Sequence, residues 1–247
     1  MKKFKFIIIF IFSLYLSIGC CIHHTKSKQF TKLDLVDHLQ KSTVAFVVPE
    51  NKNYKSYCSG IWINENTILT ARHCVIGDVF IKPKKSDHGK ILQYHTIDEY
   101  DFVVPTTRVS KTYLAVVDKL SLKYDLATLI SLNDINHDIV SLSYKDTTIG
   151  SSVYLTGHPK MYKYTFLSGE IAAVRFFDLE YLFEEKQKVF HIITHIGPGA
   201  SGSGAFDENG KLIGICSMAD KNIPGNSFYI HLDSVKIFLD ENNIKYH

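Results

Sequence analysis

The sequence lacks the features that mark several large classes of protein. Its formal net charge is only +3, and no run of basic residues is interleaved with aromatic ones, so we predict no nucleic-acid partner. None of the five cysteines lies at the spacing of a zinc site, and we predict no metal and no other cofactor. Internal repeats and low-complexity segments are also absent. What remains is an ordinary folded chain of 247 residues, in which 45% of residues are hydrophobic and 21% are charged.

The N-terminal apolar run is too short to span a membrane. It extends from Phe6 to Ile18 and follows the basic start Met1–Lys5. A spanning helix needs about 20 apolar residues, whereas a signal peptide has a shorter apolar region behind a basic one. We therefore predict a signal peptide over residues 1–19. The following residues are polar and without pattern, and we interpret residues 20–37 as a tether.

The segment Leu16–Cys20 resembles a bacterial lipobox, in which a small residue precedes the cysteine that carries a lipid. The resemblance implies lipidation of Cys20; cleavage nearby and release of a soluble protein is the alternative. In either case we expect an exported protein, which is a periplasmic or cell-surface lipoprotein or is otherwise secreted. Contact with a membrane would occur only through this N-terminal lipid.

Beyond residue 42 the chain alternates short strand-like runs with turn signals. The runs are rich in β-branched and aromatic residues and recur at short spacing, which is typical of all-β sandwiches and barrels rather than of βαβ units. Two tight hairpins are predicted, at Asn64–Asn66 and at Asp207–Gly210, and the second contains the favoured Asn-Gly pair. The pattern predicts an all-β fold.

Only the C-terminus has a helical pattern. Leu232, Val235 and Leu239 recur at helical spacing and would share one face of a helix. Asp233 is the predicted N-cap of that helix, because its side chain can accept a hydrogen bond from the first turn. We predict one short C-terminal helix.

Three polar residues could together form a nucleophilic site. They are His73 in the segment Thr70–Cys74, Asp125 at the start of an apolar run, and Ser201 in the glycine-rich segment Gly199–Gly204. A serine hydroxyl is a poor nucleophile unless a neighbouring base takes its proton, and the base needs a third group to fix its tautomer. The chain order His, Asp, Ser differs from the Asp-His-Ser of subtilisin and the Ser-Asp-His of the α/β-hydrolases.

Each role has competitors in the sequence. Asp101 and Asp118 compete with Asp125, which we favour because it precedes an otherwise apolar strand. Ser203 competes with Ser201 as the nucleophile. Neither serine lies in a Gly-x-Ser-x-Gly elbow, which counts against a lipase-type hydrolase.

The segments resemble the catalytic motifs of chymotrypsin-like (trypsin-like) serine proteases. The likeness is to the bacterial branch, which includes the glutamyl endopeptidases and the high-temperature-requirement proteases, and it covers about residues 42–240. Six stretches carry the resemblance: Cys58–Gly60, Thr70–Cys74, Asp125–Ala127, Gly157–Pro159, Ser168–Ile171 and Gly199–Gly204.

The resemblance implies a fold and a catalytic triad. The fold is two antiparallel six-stranded Greek-key β-barrels, over residues 38–137 and 138–247, with the helix at the end of the second. Ser201 would attack the carbonyl, His73 would act as base and then as acid, and Asp125 would orient His73. The N–H groups of Gly199 and Ser201 would form the oxyanion hole.

The resemblance also implies a role for the cysteines of the folded part. Cys58 and Cys74 would form a disulfide that pins the histidine turn to the neighbouring strand, and an exported protein can keep such a bond. A loop of this length would contribute about 3 kcal/mol of stability. Cys216 lies in an apolar run and is predicted to be a buried free thiol rather than a nucleophile.

The pocket that selects the substrate side chain is less well defined by the sequence. The resemblance implies that it is lined by segments before and after the nucleophile, at His195, Ile196, Cys216, Ser217 and Met218. No acidic residue matches the pocket floor, which disfavours a preference for Lys or Arg. Cys216 stands where glutamyl endopeptidases have a histidine, and although His195 keeps an acidic preference open, we expect a medium-sized apolar residue.

We therefore expect a monomeric serine endopeptidase whose partner is a protein or peptide substrate. Ala200 stands where animal digestive members carry an aspartate that pairs with a newly cut N-terminus, so we expect activity without such a cut. Two other functions stay open: a catalytically inactive protease-fold lipoprotein that acts as a binding protein, and a hydrolase of small esters or amides.

Overall fold

The computed structural model describes residues 31–50, 53–76, 84–85, 91–92, 94–98, 112–159, 162, 164–178, 183–220 and 222–247. The predicted signal peptide and lipidation site at Cys20 lie outside these residues, as does Asp101, and those predictions stay predictions. Among the described residues, no helix is both long enough and apolar enough to cross a membrane.

The first half of the chain forms a closed antiparallel barrel of six strands. The strands in this half are β1 (Thr43–Glu50), β2 (Asn53–Trp62), β3 (Thr67–Thr70), β4 (Lys84–Lys85), β5 (Ile91–Leu92), β6 (Tyr94–Asp98), β7 (Thr112–Leu120) and β8 (Ala127–Ser131). The barrel has the order β1-β2-β3-β8-β7-β6, and β4 and β5 form a separate two-stranded sheet. The predicted hairpin at Asn64–Asn66 joins β2 to β3, where Asn64 Oδ1 accepts the N–H groups of Asn66 and Thr67.

The second half forms another closed barrel of six strands, β9 (Ser152–Gly157), β10 (Thr165–Phe177), β11 (Gln187–Ile193), β12 (Gly204–Phe206), β13 (Leu212–Ala219) and β14 (Asn226–His231). Their order around the barrel is β10-β11-β14-β13-β12-β9. The predicted hairpin at Asp207–Gly210 joins β12 to β13, and Gly210 takes a φ of 75° that favours glycine. The two barrels confirm the predicted all-β fold.

The C-terminal helix α2 spans Leu232–Glu241 and confirms the predicted helix. Its N-cap is His231, whose Nδ1 accepts the N–H of Asp233 at 3.1 Å, so the prediction of Asp233 as the cap was wrong. Because β14 runs directly into the helix at His231, Asp233 falls in the first turn. A carboxylate there interacts favourably with the helix dipole.

A second helix, α1 (Lys32–Lys41), was not predicted, and the expectation that only the C-terminus is helical was wrong. Its first turn has a reciprocal capping box between Thr31 and Asp34. Only Leu35 and Leu39 are buried in this helix, and two apolar residues in a polar segment give a weak periodic signal.

One apolar cluster joins the two barrels. It contains Ile61 and Leu69 from the first barrel, Val189 and Phe206 from the second, and residues of both helices. Burial of this shared core holds the barrels side by side. The ends of β3 and β8 therefore lie at a fixed place relative to the loop before β12.

Candidate active site

The pairing of β3 with β8 brings His73 and Asp125 together. Thr70 pairs with Ala127, so the turn after β3 and the turn before β8 meet at one end of the first barrel. His73 lies in a single 3-10 turn, Arg72–Cys74, that is separated from β3 only by its N-cap residue Ala71.

The carboxylate of Asp125 contacts His73 at two points. The His73 backbone N–H donates to Oδ1 at 3.0 Å, and the imidazole Nδ1 lies 2.7 Å from Oδ2. An ionised carboxylate can only accept, so Nδ1 carries the proton and Nε2 of the neutral ring is left as the acceptor. The Asp125 side chain is only 4% exposed, whereas that of His73 is 43% exposed.

A third hydrogen bond to Asp125 comes from the second barrel. The hydroxyl of Ser217, on β13, donates to Oδ2 at 2.5 Å. Burial by itself raises the pKa of Asp125, but the hydrogen bonds and the charge of His73, together with Ser217, lower the pKa below 3.8. Burial lowers the pKa of His73, and the hydrogen bond and charge of Asp125 more than offset this, so that its pKa lies above 6.5.

The loop that carries Ser201 is held by its carbonyl groups. Ser59 on β2 donates from its N–H to the Ser201 carbonyl at 2.7 Å and from its hydroxyl to the Gly199 carbonyl at 2.8 Å. Among the described residues, no acceptor is bonded to the N–H groups of Gly199 and Ser201. Gly199 has a φ of 99°, a backbone conformation that residues other than glycine rarely adopt. This conformation changes the direction in which the neighbouring amide groups point.

The sulfur of Cys74 lies close to both His73 and Ser201. Cys74 Sγ lies 4.0 Å from His73 Nε2 and 3.6 Å from the Ser201 carbonyl oxygen. Within the described part of the chain, no hydrogen bond joins the Ser201 hydroxyl to the imidazole. In substrate-free sites such contacts are often long and tighten only in the complex.

The competing residues occupy other environments. Asp118 lies 3.5 Å from the hydroxyl of Thr128 and 3.9 Å from the amine of Lys119 and makes no contact with His73. Ser203 is only 1% exposed, and its carbonyl accepts the N–H of Cys216. Ser201 is the more accessible of the two serines.

The predicted disulfide is present. Cys58 on β2 is bonded to Cys74 in the histidine turn. Among the described residues, Cys58, His73 and Cys74 are the one group with ligand atoms close enough to hold a metal ion, but both sulfurs are used in the disulfide. Thiolates rather than disulfide sulfurs bind metals, so this group is not a metal site.

A cavity of about 560 Å³ opens beside Ser201. All five residues predicted for the substrate pocket line it: His195, Ile196, Cys216, Ser217 and Met218. Ser217 thus contributes to the cavity wall while its hydroxyl is bonded to Asp125. Burial raises the pKa of Cys216 to about 12, so its thiol stays protonated and is a poor nucleophile.

Sequence reasoning missed three side chains that hold the site. They are Ser59, Gln187 and the hydroxyl of Ser217, and each of them reaches across from one barrel to the other. Contacts of this kind follow from the packing of the barrels and not from a local motif. Only the position of Ser59 directly after Cys58, within a stretch that carries the resemblance, could have drawn attention to it.

Replacing Gly202 by alanine should prevent the Ser201 loop from forming. A Cβ at this position would lie 2.1 Å from the Ser59 carbonyl oxygen and 2.2 Å from Thr70 Oγ1, at a φ of +82°. We expect the free energy of unfolding to fall by about 3 kcal/mol or more, measured by chemical denaturation.

Gly150 provides a matched control for this substitution. Its φ is +85°, but a Cβ there would have no atom within 4 Å. Gly150→Ala should therefore lower the free energy of unfolding by only about 1 kcal/mol, which is the cost of the backbone conformation alone. Equal losses in the two variants would contradict the clash inferred at Gly202.

The trypsin-like peptidase domain family matches residues 58–215, a range that contains His73, Asp125 and Ser201. The fold is similar to that of the Rv3671c protease from M. tuberculosis in its active form, with a TM-score of 0.64 and 17% identity over 85% of this chain and 85% of that chain. It is also similar to the HtrA-type protease AlgW with a tripeptide (TM-score 0.62, 18% identity, 87% of this chain and 64% of that one). The serine endoprotease from Yersinia pestis has a TM-score of 0.59 and 17% identity, over 86% of this chain and 66% of that chain. No curated protein matches the chain.

Proposed function

Because this chain belongs to the trypsin-like peptidase family, we propose that it is a serine endopeptidase that cleaves protein or peptide substrates through an acyl-enzyme intermediate. The observation that carries the proposal is the two-point contact of Asp125 with His73 beside a loop whose amides at Gly199 and Ser201 have no acceptor in the part of the chain that the structure describes. The function that this geometry supports best is acyl transfer from a peptide to Ser201.

The chemistry follows from the roles that each group can take. Ser201 Oγ attacks the scissile carbonyl while Nε2 of His73 takes its proton, and His73 then passes that proton to the leaving amine. Asp125 keeps the ring in the required tautomer and stabilises the imidazolium. The N–H groups of Gly199 and Ser201 donate to the oxyanion, and each such donor contributes about 2.7–4 kcal/mol to lowering the barrier.

A fluorophosphonate label, located by mass spectrometry, tests whether Ser201 is an activated nucleophile. We expect label on Ser201 of the folded protein and none on the heat-denatured protein. Absence of label, or label on Ser203 instead, would contradict the proposal. Absence of label together with retained binding of a protein partner would favour the alternative, a catalytically inactive protease-fold protein.

A peptide library then separates endopeptidase from esterase and defines the preferred side chain. We propose a medium-sized apolar residue before the cleaved bond, because Ile196, Met218 and Pro224 line the cavity. Asp220 also lines it, but this carboxylate accepts the N–H groups of Asn222 and Ile223 in its own loop. Cleavage of small esters without cleavage of any peptide would identify a different hydrolase.

The rate of cleavage should depend on the protonation of His73. Only the neutral imidazole can accept the serine proton, and the pKa of His73 is raised above 6.5 by Asp125 in spite of burial. The kcat/KM should therefore be low in acid and rise through an apparent pKa above 6.5 to a plateau on the alkaline side. A profile measured with a neutral peptide substrate that stays flat from acid to alkaline pH would contradict a base at this position.

A further inference from the structure

Gln187, the first residue of β11, places a buried amide beneath the turn that carries Asp125. The residue is only 1% exposed. Its Oε1 accepts the backbone N–H of Asp125 at 3.0 Å, and its Nε2 donates to the carbonyl groups of Lys123 and Glu185, both at 2.8 Å. The oxygen and both N–H groups of the amide therefore each have a hydrogen-bond partner.

The chemistry of this site suits a primary amide and no other side chain of that size. A carboxylate has no hydrogen to donate and would face the two carbonyl oxygens of Lys123 and Glu185. A methionine would leave those carbonyls and the Asp125 N–H without partners, and unpaired buried polar groups are destabilising. Gln187 thus fits the turn by its hydrogen-bonding pattern as well as by its length.

The contact crosses the boundary between the barrels. Asp125 belongs to the turn before β8 in the first barrel, and Gln187 belongs to the second. Next to this amide, the Glu184 N–H donates to the Leu122 carbonyl at 3.0 Å, so a second hydrogen bond joins the same two segments. The backbone of Asp125 is held by Gln187, whereas its carboxylate is held by Ser217.

We propose that Gln187 is a positioning residue: by fixing the backbone of Asp125 across the barrel interface, it sets the alignment of the carboxylate with the His73 imidazole. This inference rests on the proposed peptidase function. Gln187 acts through Asp125 and does not line the substrate cavity. A loss of alignment should reduce kcat more than it raises KM, because the substrate contacts lie elsewhere.

The charged groups around this turn should contribute equally to the pH profiles of the wild-type protein and of an uncharged variant at position 187. Lys123 is paired with Glu241, and the side chains of Glu184 and Glu185 are exposed. The Arg72 guanidinium lies over the Phe183 ring, and the Cys216 thiol near Asp125 stays protonated. Gln187→Met changes none of these groups and adds no charge, so a shift in its pH profile would report on the His73–Asp125 contact.

The test uses Gln187→Met, which keeps the length of the side chain, and Gln187→Glu, which keeps its shape. Active sites are counted by fluorophosphonate titration, so that misfolded protein does not enter kcat. We expect kcat per active site to fall by about tenfold or more in both variants, with KM changed by less than about twofold. The rise of kcat/KM should also move to lower pH in Gln187→Met, because His73 loses part of its hydrogen bond to Asp125.

Gln40→Met is the matched control. The Gln40 amide donates to the Tyr164 carbonyl at 2.6 Å and joins α1 to the residue before β10. It should keep the wild-type kcat and pH profile. If both Gln187 variants lose only active sites, with kcat per site and pH profile unchanged, the residue is merely structural and the proposal is overturned. A wild-type protein that takes no label and cleaves no peptide would instead overturn the proposed function.

Discussion

Ser201→Ala is expected to lower kcat for peptide hydrolysis by on the order of 10⁵–10⁶-fold, because the residues of such a triad act as a unit. The variant lacks the oxygen that forms the acyl-enzyme, so the base at His73 and the two amides have no nucleophile to act on. The rate is measured with an internally quenched peptide that the wild-type protein cleaves. Among the described residues the Ser201 hydroxyl has no hydrogen-bond partner, so the free energy of unfolding should change by only about 0.5 kcal/mol.

Ser203→Ala is the matched control for that substitution. Ser203 is two residues away in the same loop, but its side chain is buried against the second barrel, where Cys216 and Tyr229 lie nearby. Its kcat should stay within about threefold of the wild-type value. If Ser203→Ala abolished cleavage while Ser201→Ala retained it, the two serines would exchange roles and the assignment of the nucleophile would be wrong.

Local patterns explain which parts of the fold could be predicted. The hairpins at Asn64–Asn66 and Asp207–Gly210 depend on side chains and backbone conformations within a few residues, and both were predicted correctly. The C-terminal helix has several buried apolar residues at helical spacing, so its pattern is strong. Helix α1 buries only Leu35 and Leu39, and its capping box between Thr31 and Asp34 is too short a signal to stand alone.

The residues of the site likewise include some that local sequence patterns indicate and some that they do not. His73 was predicted from the resemblance of Thr70–Cys74 to a catalytic-histidine motif, and Asp125 from its place before an otherwise apolar strand; both lie within three residues of a strand end. The groups that hold them could not be found in this manner. Gln187 begins an ordinary strand, and the second role of Ser217 depends on where β13 passes relative to Asp125. Which residue faces Asp125 is decided by how the two barrels pack, and a single sequence does not contain that information in any local form.

Asp125→Asn is expected to lower kcat by about 10⁴-fold, because the substitution changes the tautomer of His73. The wild-type carboxylate accepts three hydrogen bonds, from the His73 backbone, the His73 ring and the Ser217 hydroxyl. An asparagine at this position offers one oxygen and an NH₂ group that must meet an acceptor. The ring can supply that acceptor only if Nδ1 loses its proton, and Nε2 then carries it and cannot take the proton of Ser201.

A comparison with Asp118→Asn separates this effect from the general loss of a negative charge. Asp118 is also on the first barrel, with its carboxylate 3.5 Å from Thr128 Oγ1, but it does not reach His73. Its asparagine variant should keep kcat within about twofold. Labelling of Asp125→Asn by fluorophosphonate should slow in proportion to kcat, since both reactions need His73 to accept the same proton. If the kcat of Asp125→Asn fell by less than about tenfold, the imidazole would have to be oriented without the carboxylate. The pairing of the β3 and β8 ends would then have no catalytic consequence.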